Sequence, residues 1–279
     1  MASSKKTSEF VVKTGLASEL ELLSRIPIQF TPKTETTINR KYNWCHDIVP
    51  PTVPRLQYFG LGIRGFKNAD DGILANPHQP INTELDLYEP IPIRCVPIDE
   101  DLSSAERANY RMRIRKNIKG TWYYCYYLKK LQVLDSKIQV TQTNPLTGAQ
   151  EPYEYTQADL NPVPRNPATS GEQAGSAIKV NVGVHLGLSW TGAEVLEYIN
   201  AMYEGDMRYA KISEVGLYSG TDATVNGTDS ANVEFQYTES IYTQLNYKIT
   251  NIGSAITSPS YDGSREFLLG NGDLLLLSK

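Results

Sequence analysis

The sequence predicts a β-dominated α+β fold, with antiparallel sheets in a sandwich-like arrangement, one main helix and an extended N-terminal arm. Three observations carry that prediction. Long runs alternate with period two, above all Val180, Val182 and Val184, and later Ile241, Thr243, Leu245, Tyr247 and Ile249. One segment repeats at helical spacing, through Val195, Leu196, Ile199 and Met202. Proline at 27, 32, 50, 51 and 54 blocks long regular elements near the start.

In chain order, residues 1–55 read as the arm, with short apolar stretches at Val11–Val12 and Leu20–Leu23. Residues 56–156 read as a first β-rich region. Its opening strand, Gln57–Phe66, carries Gly60, Gly62 and Gly65 in the order G-x-G-x-x-G. A dinucleotide site needs a helix after the third glycine, whereas Phe66–Gly72 reads as a turn. The glycines are therefore assigned to strand curvature or close packing. Residues 69–100 are loop-rich, with Leu85, Leu87, Ile91 and Ile93 in short extended pieces. Ser103 and Glu106 have capping-box spacing and predict one helical turn over 103–108. A hairpin follows. Tyr110, Met112 and Ile114 share one face and Arg111, Arg113 and Arg115 the other, and Lys119–Gly120 turns the chain into the aromatic strand Thr121–Leu128. Ile138–Thr143 and Tyr153–Thr156 form a second hairpin-like pair around Asn144–Gly148.

Residues 157–176, rich in Pro, Gly, Ser and Asn, read as a loop or linker. Residues 177–279 read as a second β-rich region with one helix. A strand over Ile178–Leu188 leads to the helix at 192–204, framed by Thr191 and Glu194 at its start and Gly205 at its end. Ala210–Gly220 is strand-like, Thr221–Ser230 reads as a polar loop, and Glu234–Thr250 is the longest alternating strand. One face of that strand is expected to be buried and the other polar or shared with a partner. Leu274–Leu277 closes the chain as a short strand.

The chain has 279 residues, 40% of them hydrophobic, enough for one large or two ordinary cores. A net charge of −4 disfavours a general nucleic-acid binder. The start lacks the apolar core of a signal peptide, and the longest apolar run, Leu274–Leu277, is too short to cross a bilayer. Cys45, Cys95 and Cys125 have no metal-ligand spacing and read as reduced structural thiols. Cys45-His46-Asp47 cannot form a triad alone, because adjacent residues of an extended chain face opposite ways. His185 has no nearby acid in sequence, and Asp70-Asp71 and Asp99-Glu100-Asp101 read as solvated turns. The residues therefore call for no catalytic group, metal or cofactor, and an enzyme is not expected.

Tyrosine is over-represented, at 18 against 6 Phe and 3 Trp, which suits strands and subunit interfaces alike. The basic stripe Arg111, Arg113 and Arg115, with Lys116 and Lys119, could meet phosphate, but the net negative charge of the chain favours the acidic surface of a neighbouring subunit. Arg111, Arg113, Arg115, Tyr124, Tyr126 and Tyr242 are the candidate subunit-contact residues.

Ile212-Ser213-Glu214-Val215-Gly216-Leu217-Tyr218-Ser219-Gly220 resembles an I-x-E-[IV]-G-L-[YF] strand of tailed-bacteriophage virion structural proteins. Tyr237–Leu245 is similar to the strand that follows it in such proteins, and Tyr126–Lys130 is similar to other virion segments. The resemblance covers mainly the second half of the chain. It implies a virion component of the baseplate or neck, made in the host cytoplasm and assembled as an oligomer with copies of itself and other virion proteins. A carbohydrate- or receptor-binding β module is the alternative, marked by exposed aromatics beside Asp or Asn in a cleft. A hydrolase would require His46 or His185 to converge with a carboxylate and a nucleophile.

Overall fold

Strand formation dominates the backbone. The computed structural model describes residues 9–25, 28–31, 38, 42, 52–68, 75–144, 147–155, 179–270 and 273–276. The segment 157–176 and residues Cys45, His46, Asp47, Asp70 and Asp71 lie outside them. The chain divides into two compact units, Met1–Leu131 with Leu188–Arg265, and Gln132–Gly187 with Glu266–Lys279. It thus changes unit at 131/132, at 187/188 and at 265/266.

The first unit contains β1 (Phe10–Lys13), α1 (Gly15–Arg25), β2 (Arg55–Gly62), β3 (Phe66–Asn68), β4 (Ala75–Pro77), β5 (Pro90–Ile91), β6 (Arg94–Pro97), α2 (Ser104–Arg107), β7 (Tyr110–Ile118) and β8 (Thr121–Lys130). β9 (Gln132–Val133), β10 (Gln139–Thr143), β11 (Gln150–Pro152) and β12 (Lys179–Leu188) build the second unit. The chain returns to the first with α3 (Gly192–Tyr203), β13 (Lys211–Thr228) and β14 (Glu234–Ala255), then closes with β15 (Arg265–Gly270) and β16 (Asp273–Leu276) in the second. This is the expected β-dominated, antiparallel α+β class.

Several local expectations hold. Ser103 and Thr191 both close reciprocal capping boxes, with Glu106 and Glu194. α3 buries Val195, Leu196, Tyr198 and Ile199 and stops at a left-handed Glu204 followed by Gly205. β7 and β8 form the expected hairpin about Lys119–Gly120.

Four expectations need correction. The N-terminal arm is partly regular: β1 pairs with β14, and α1 buries Leu16, Ala17 and Leu20, because the stretch before Pro27 is free of proline and has apolar residues to bury. Thr221–Ser230 is not a loop; β13 runs on to Thr228, because Ala223, Val225 and their polar neighbours continue the ladder with β14. The partner of β10 starts earlier than expected, at Gln150–Pro152 with Tyr153 N–H still donating to the Val140 carbonyl, since the turn closes at Ala149 through its carbonyl to Asn144 N–H and Gly148 takes a positive φ. Residues 241–250 of β14 are buried on both faces, because β1 and β13 flank the strand and α1 and β4 lie against it.

In the first unit the sheet runs β1-β14-β13-β2-β8-β6, with β7 on the other side of β8. β7, β8, β2, β13 and β14 are successive neighbours, and β14 comes back against β7. The path therefore closes on itself. Register shifts in the β13–β14 ladder near Tyr218 and Thr221, and a positive φ at Tyr242, supply bulges that let long strands bend. The second unit is a sheet ordered β11-β10-β12-β15-β16, with β9 also on β12.

The G-x-G-x-x-G run is a packing device, as expected. A Cβ at Gly65 would sit 2.0 Å from the Ser213 carbonyl oxygen, and one at Gly62 would sit 2.2 Å from Glu214 Oε2. Gly65 N–H also donates to Ser213 Oγ at 2.9 Å. Gly65→Ala should cost about 3 kcal/mol or more, lowering Tm by roughly 6–10 °C. Gly15→Ala, with 3.7 Å of clearance from Asn82 O, should stay within about 0.5 kcal/mol. Paired thermal melts check both, and equal melting temperatures would refute the packing argument.

Candidate functional site

Arg111 and Arg113 project from β7 into the chain's own interior. The Arg111 side chain is 1% exposed, and its guanidinium grips Asp222 of β13 bidentately, Nε to Oδ1 at 2.8 Å and Nη2 to Oδ2 at 2.9 Å. Its Nη1 donates to the carbonyls of Ala108 and Tyr110. The Tyr58 hydroxyl also donates to Asp222. Burial opposes ionisation of Asp222, but Arg111 and Tyr58 together hold its carboxyl below the usual range.

Asp101 is a second hub rather than part of a solvated turn. Its Oδ2 accepts from Arg113 Nη2 at 2.8 Å and from Arg107 Nη2 at 3.1 Å, and its Oδ1 accepts from Tyr126 OH at 2.6 Å. The Arg113 guanidinium lies 3.4 Å from the Tyr124 ring centroid, and Arg107 lies 4.5 Å from that of Phe235. A third acid, Glu239 of β14, accepts from backbone N–H groups of Met112 (2.5 Å), Arg113 (3.1 Å) and Ser240 (2.7 Å). Met112 has a φ of 57°, which turns successive amides towards that carboxyl.

The candidate contact residues are thereby corrected. Arg111, Arg113, Tyr124, Tyr126 and Tyr242 are buried, and Arg115 alone of the six is exposed. Strand alternation gave the faces, but the closing sheet covers the basic face with acids from 101, 222 and 239.

The other singled-out residues have structural partners too. Cys95 and Cys125 are buried, unoxidised and 3.4 Å apart across β6 and β8. His185 meets Asp135 at 3.0 Å, and the same carboxylate accepts from His185 N–H and Gln139 Nε2. That pair braces the second unit. Among the described residues no group of three His, Cys, Asp or Glu side chains is placed to hold a metal.

Two surface features come from the tertiary arrangement. The first is the outer end of the β13–β14 ribbon. Thr224, Asn226, Thr228, Gln236 and Thr238 are exposed on one face, while Val225, Phe235 and Tyr237 are half-buried on the other. β2 pairs with β13 only as far as Gly220. From Ala223 to Gly227 the edge of β13 turned away from β14 has no strand partner among the described residues.

The second is a cleft of about 600 Å³ lined by Ile63, Arg64, Phe66, Lys67, Glu89, Tyr203, Arg208, Tyr209 and Lys211. α3 and the 3₁₀ turn Met207–Tyr209 stack Tyr203 on Tyr209, with centroids 4.0 Å apart and planes 5° from parallel. Arg64 pairs with Glu89, and Arg208 with Asp206 just behind the wall. Lys211 Nζ lies 4.1 Å from the Phe66 ring centroid. The sequence gave no sign of this site, because its residues come from four separated segments.

Residues 1–279 match a family described as a family of unknown function, DUF7208, and the chain belongs to it. No curated protein and no solved structure matches the chain.

Two predictions follow from the buried charges. Arg111→Ala should lose about 2 kcal/mol or more in urea unfolding, since a buried side chain and its bidentate pair with Asp222 are removed while Tyr58 and Lys130 still hold the carboxylate, whereas Arg115→Ala should change stability by under about 0.5 kcal/mol. An Arg111→Ala midpoint equal to wild type would contradict the assignment. Glu239 supplies the pH dependence. Burial pushes its carboxyl from 4.5 up to about 7, against the three backbone donors. The folded chain therefore keeps a proton that the unfolded chain releases. Its stabilising effect is full below pH 4.5 and is lost as pH rises through about 7, a fall of roughly 3 kcal/mol. Glu239→Gln should flatten that fall, measured as unfolding free energy across the same range.

Proposed function

We propose that this chain is a structural building block of a phage virion, in the baseplate or neck region, working through protein–protein contacts rather than catalysis. The open edge of β13 from Ala223 to Gly227 is the observation that carries the reading. Natural sheets usually blunt free edges with lysine, proline or a covering segment. This edge reads Ala-Thr-Val-Asn-Gly and has none of these residue types. Beside it lies a Thr/Asn/Gln face, with Glu234 opposite Thr228 at its outer end. A second chain can add a strand there through main-chain hydrogen bonds, with the polar face setting register. The virion setting rests on the Ile212–Gly220 resemblance; the ribbon argues for assembly of any kind.

A carbohydrate-binding module is the second reading, favoured by one feature: Tyr209, 44% exposed, stacks on Tyr203 beside Asp206 at the cleft. Reproducible signals on a glycan array would favour it.

The assembly reading is tested by light scattering on the purified chain. Masses that are multiples of the monomer are expected. Thr224→Lys with Asn226→Lys should reduce assembly while leaving Tm within a few degrees, because both side chains are exposed. A chain that stays monomeric at every concentration and joins no larger particle defeats the reading.

A further inference from the structure

We infer that the cleft beside α3 is a docking site for an extended acidic peptide segment of a partner protein. This rests on the assembly reading and names the chemistry of one contact within it. The cleft gathers four cations, Arg64, Lys67, Arg208 and Lys211, against two carboxylates, Glu89 in the wall and Asp206 behind it, in a chain whose net charge is −4. Such a local excess opposes the charge of the whole molecule and attracts acidic groups selectively.

The cations differ in readiness. Glu89 and Asp206 fix the Arg64 and Arg208 guanidiniums at the rim, where their side chains are 74% and 86% exposed. Lys67 and Lys211 have no carboxylate partner among the described residues, and Lys211 is held only over the Phe66 ring. Those two ammonium groups are available to incoming carboxylates. The Tyr203–Tyr209 stack gives a rigid flat wall, and tyrosine with arginine is the composition of recognition surfaces between proteins.

The form of the site selects the ligand class. Arg64, Lys67 and Arg208 are exposed at the mouth of the cleft, so they meet a ligand from solvent, whereas small-molecule pockets enclose most of their ligand. An extended peptide places carboxylates at alternate positions about 7 Å apart, able to meet cations along one wall while the backbone lies on the tyrosines. The chain's overall negative charge opposes nucleic acid, whose binding relies on a broad basic surface.

The test uses the full chain and a fluorescein-labelled peptide of about eight residues alternating Glu and Ser, with the Gln/Ser peptide as control. Anisotropy should report binding of the Glu peptide, weakening as salt rises from about 50 to about 200 mM. Lys67→Gln with Lys211→Gln should weaken it about tenfold with an unchanged Tm. No binding, equal binding of the Gln peptide, or an unaffected double variant overturns the inference. Tighter binding of a labelled single-stranded DNA, lost in the same variant, also overturns it in favour of nucleic acid. Light scattering on the same samples keeps the two readings apart. Assembly without peptide binding defeats the cleft alone, and peptide binding by a strictly monomeric chain defeats assembly alone.

Discussion

Three carboxylates, Glu239 buried and Asp101 and Asp222 half-buried, close the sheet of the first unit. Asp222, Asp101 and Glu239 take hold of β7 from different directions, one through a bidentate Arg111, one through Arg113 (while also binding Tyr126 of β8), one through backbone amides. Among the described residues β7 has no second strand neighbour in the ladder. Without those acids its free amides would lose their acceptors and two buried guanidiniums their counter-charges, at a cost of several kcal/mol each. The curved path from β7 through β8, β2 and β13 to β14 is thus completed by side chains where backbone pairing stops. The acids act in concert, because each also fixes the geometry of a neighbour: Tyr58 on Asp222, Leu102 N–H on Asp101, Ser240 N–H on Glu239.

The same use of buried charge recurs through this unit. Glu214, in the middle of the Ile212–Gly220 strand, accepts from the backbone N–H groups of Tyr88 and Glu89, and burial raises its carboxyl against those donors. Lys248 on the neighbouring strand is fully buried, donates to Glu84 at 2.7 Å and sits 3.1 Å from the Tyr88 ring centroid. Glu197 of α3 clamps Arg94 and the Cys95 amide, and Glu194 receives Lys129 and the Tyr110 hydroxyl. Polar groups thereby fix the register between elements that apolar contact alone would let slide.

One consequence bears on function. Two of the three arginines of the most conspicuous charge stripe are consumed internally, so under the assembly proposal recognition falls to groups that look ordinary in sequence: a Thr/Asn ribbon face, a strand edge with no strand partner among the described residues, and lysines beside a tyrosine stack. Interfaces take much of their specificity from such arrangements rather than from any single residue type.

Local chemistry made much of the fold legible. Capping boxes at Ser103 and Thr191, the period-two runs of β12 and β14, the apolar face of α3 and the close-packing glycines of β2 are all decided within a few residues. Alternation also separated Arg111, Arg113 and Arg115 from Tyr110, Met112 and Ile114, but it could not say what lay opposite each face. That depended on Asp101, Asp222 and Glu239, up to 127 residues away along the chain from the groups they bind. The cleft was illegible for the same reason, since Arg64, Glu89, Tyr203 and Lys211 meet only after the sheet has formed. Sequence by itself determined the strands, the helix α3 and their caps, because those are short-range. Whether a charge is buried or offered to a partner was decided only by the tertiary structure, because burial is a property of what folds over a residue.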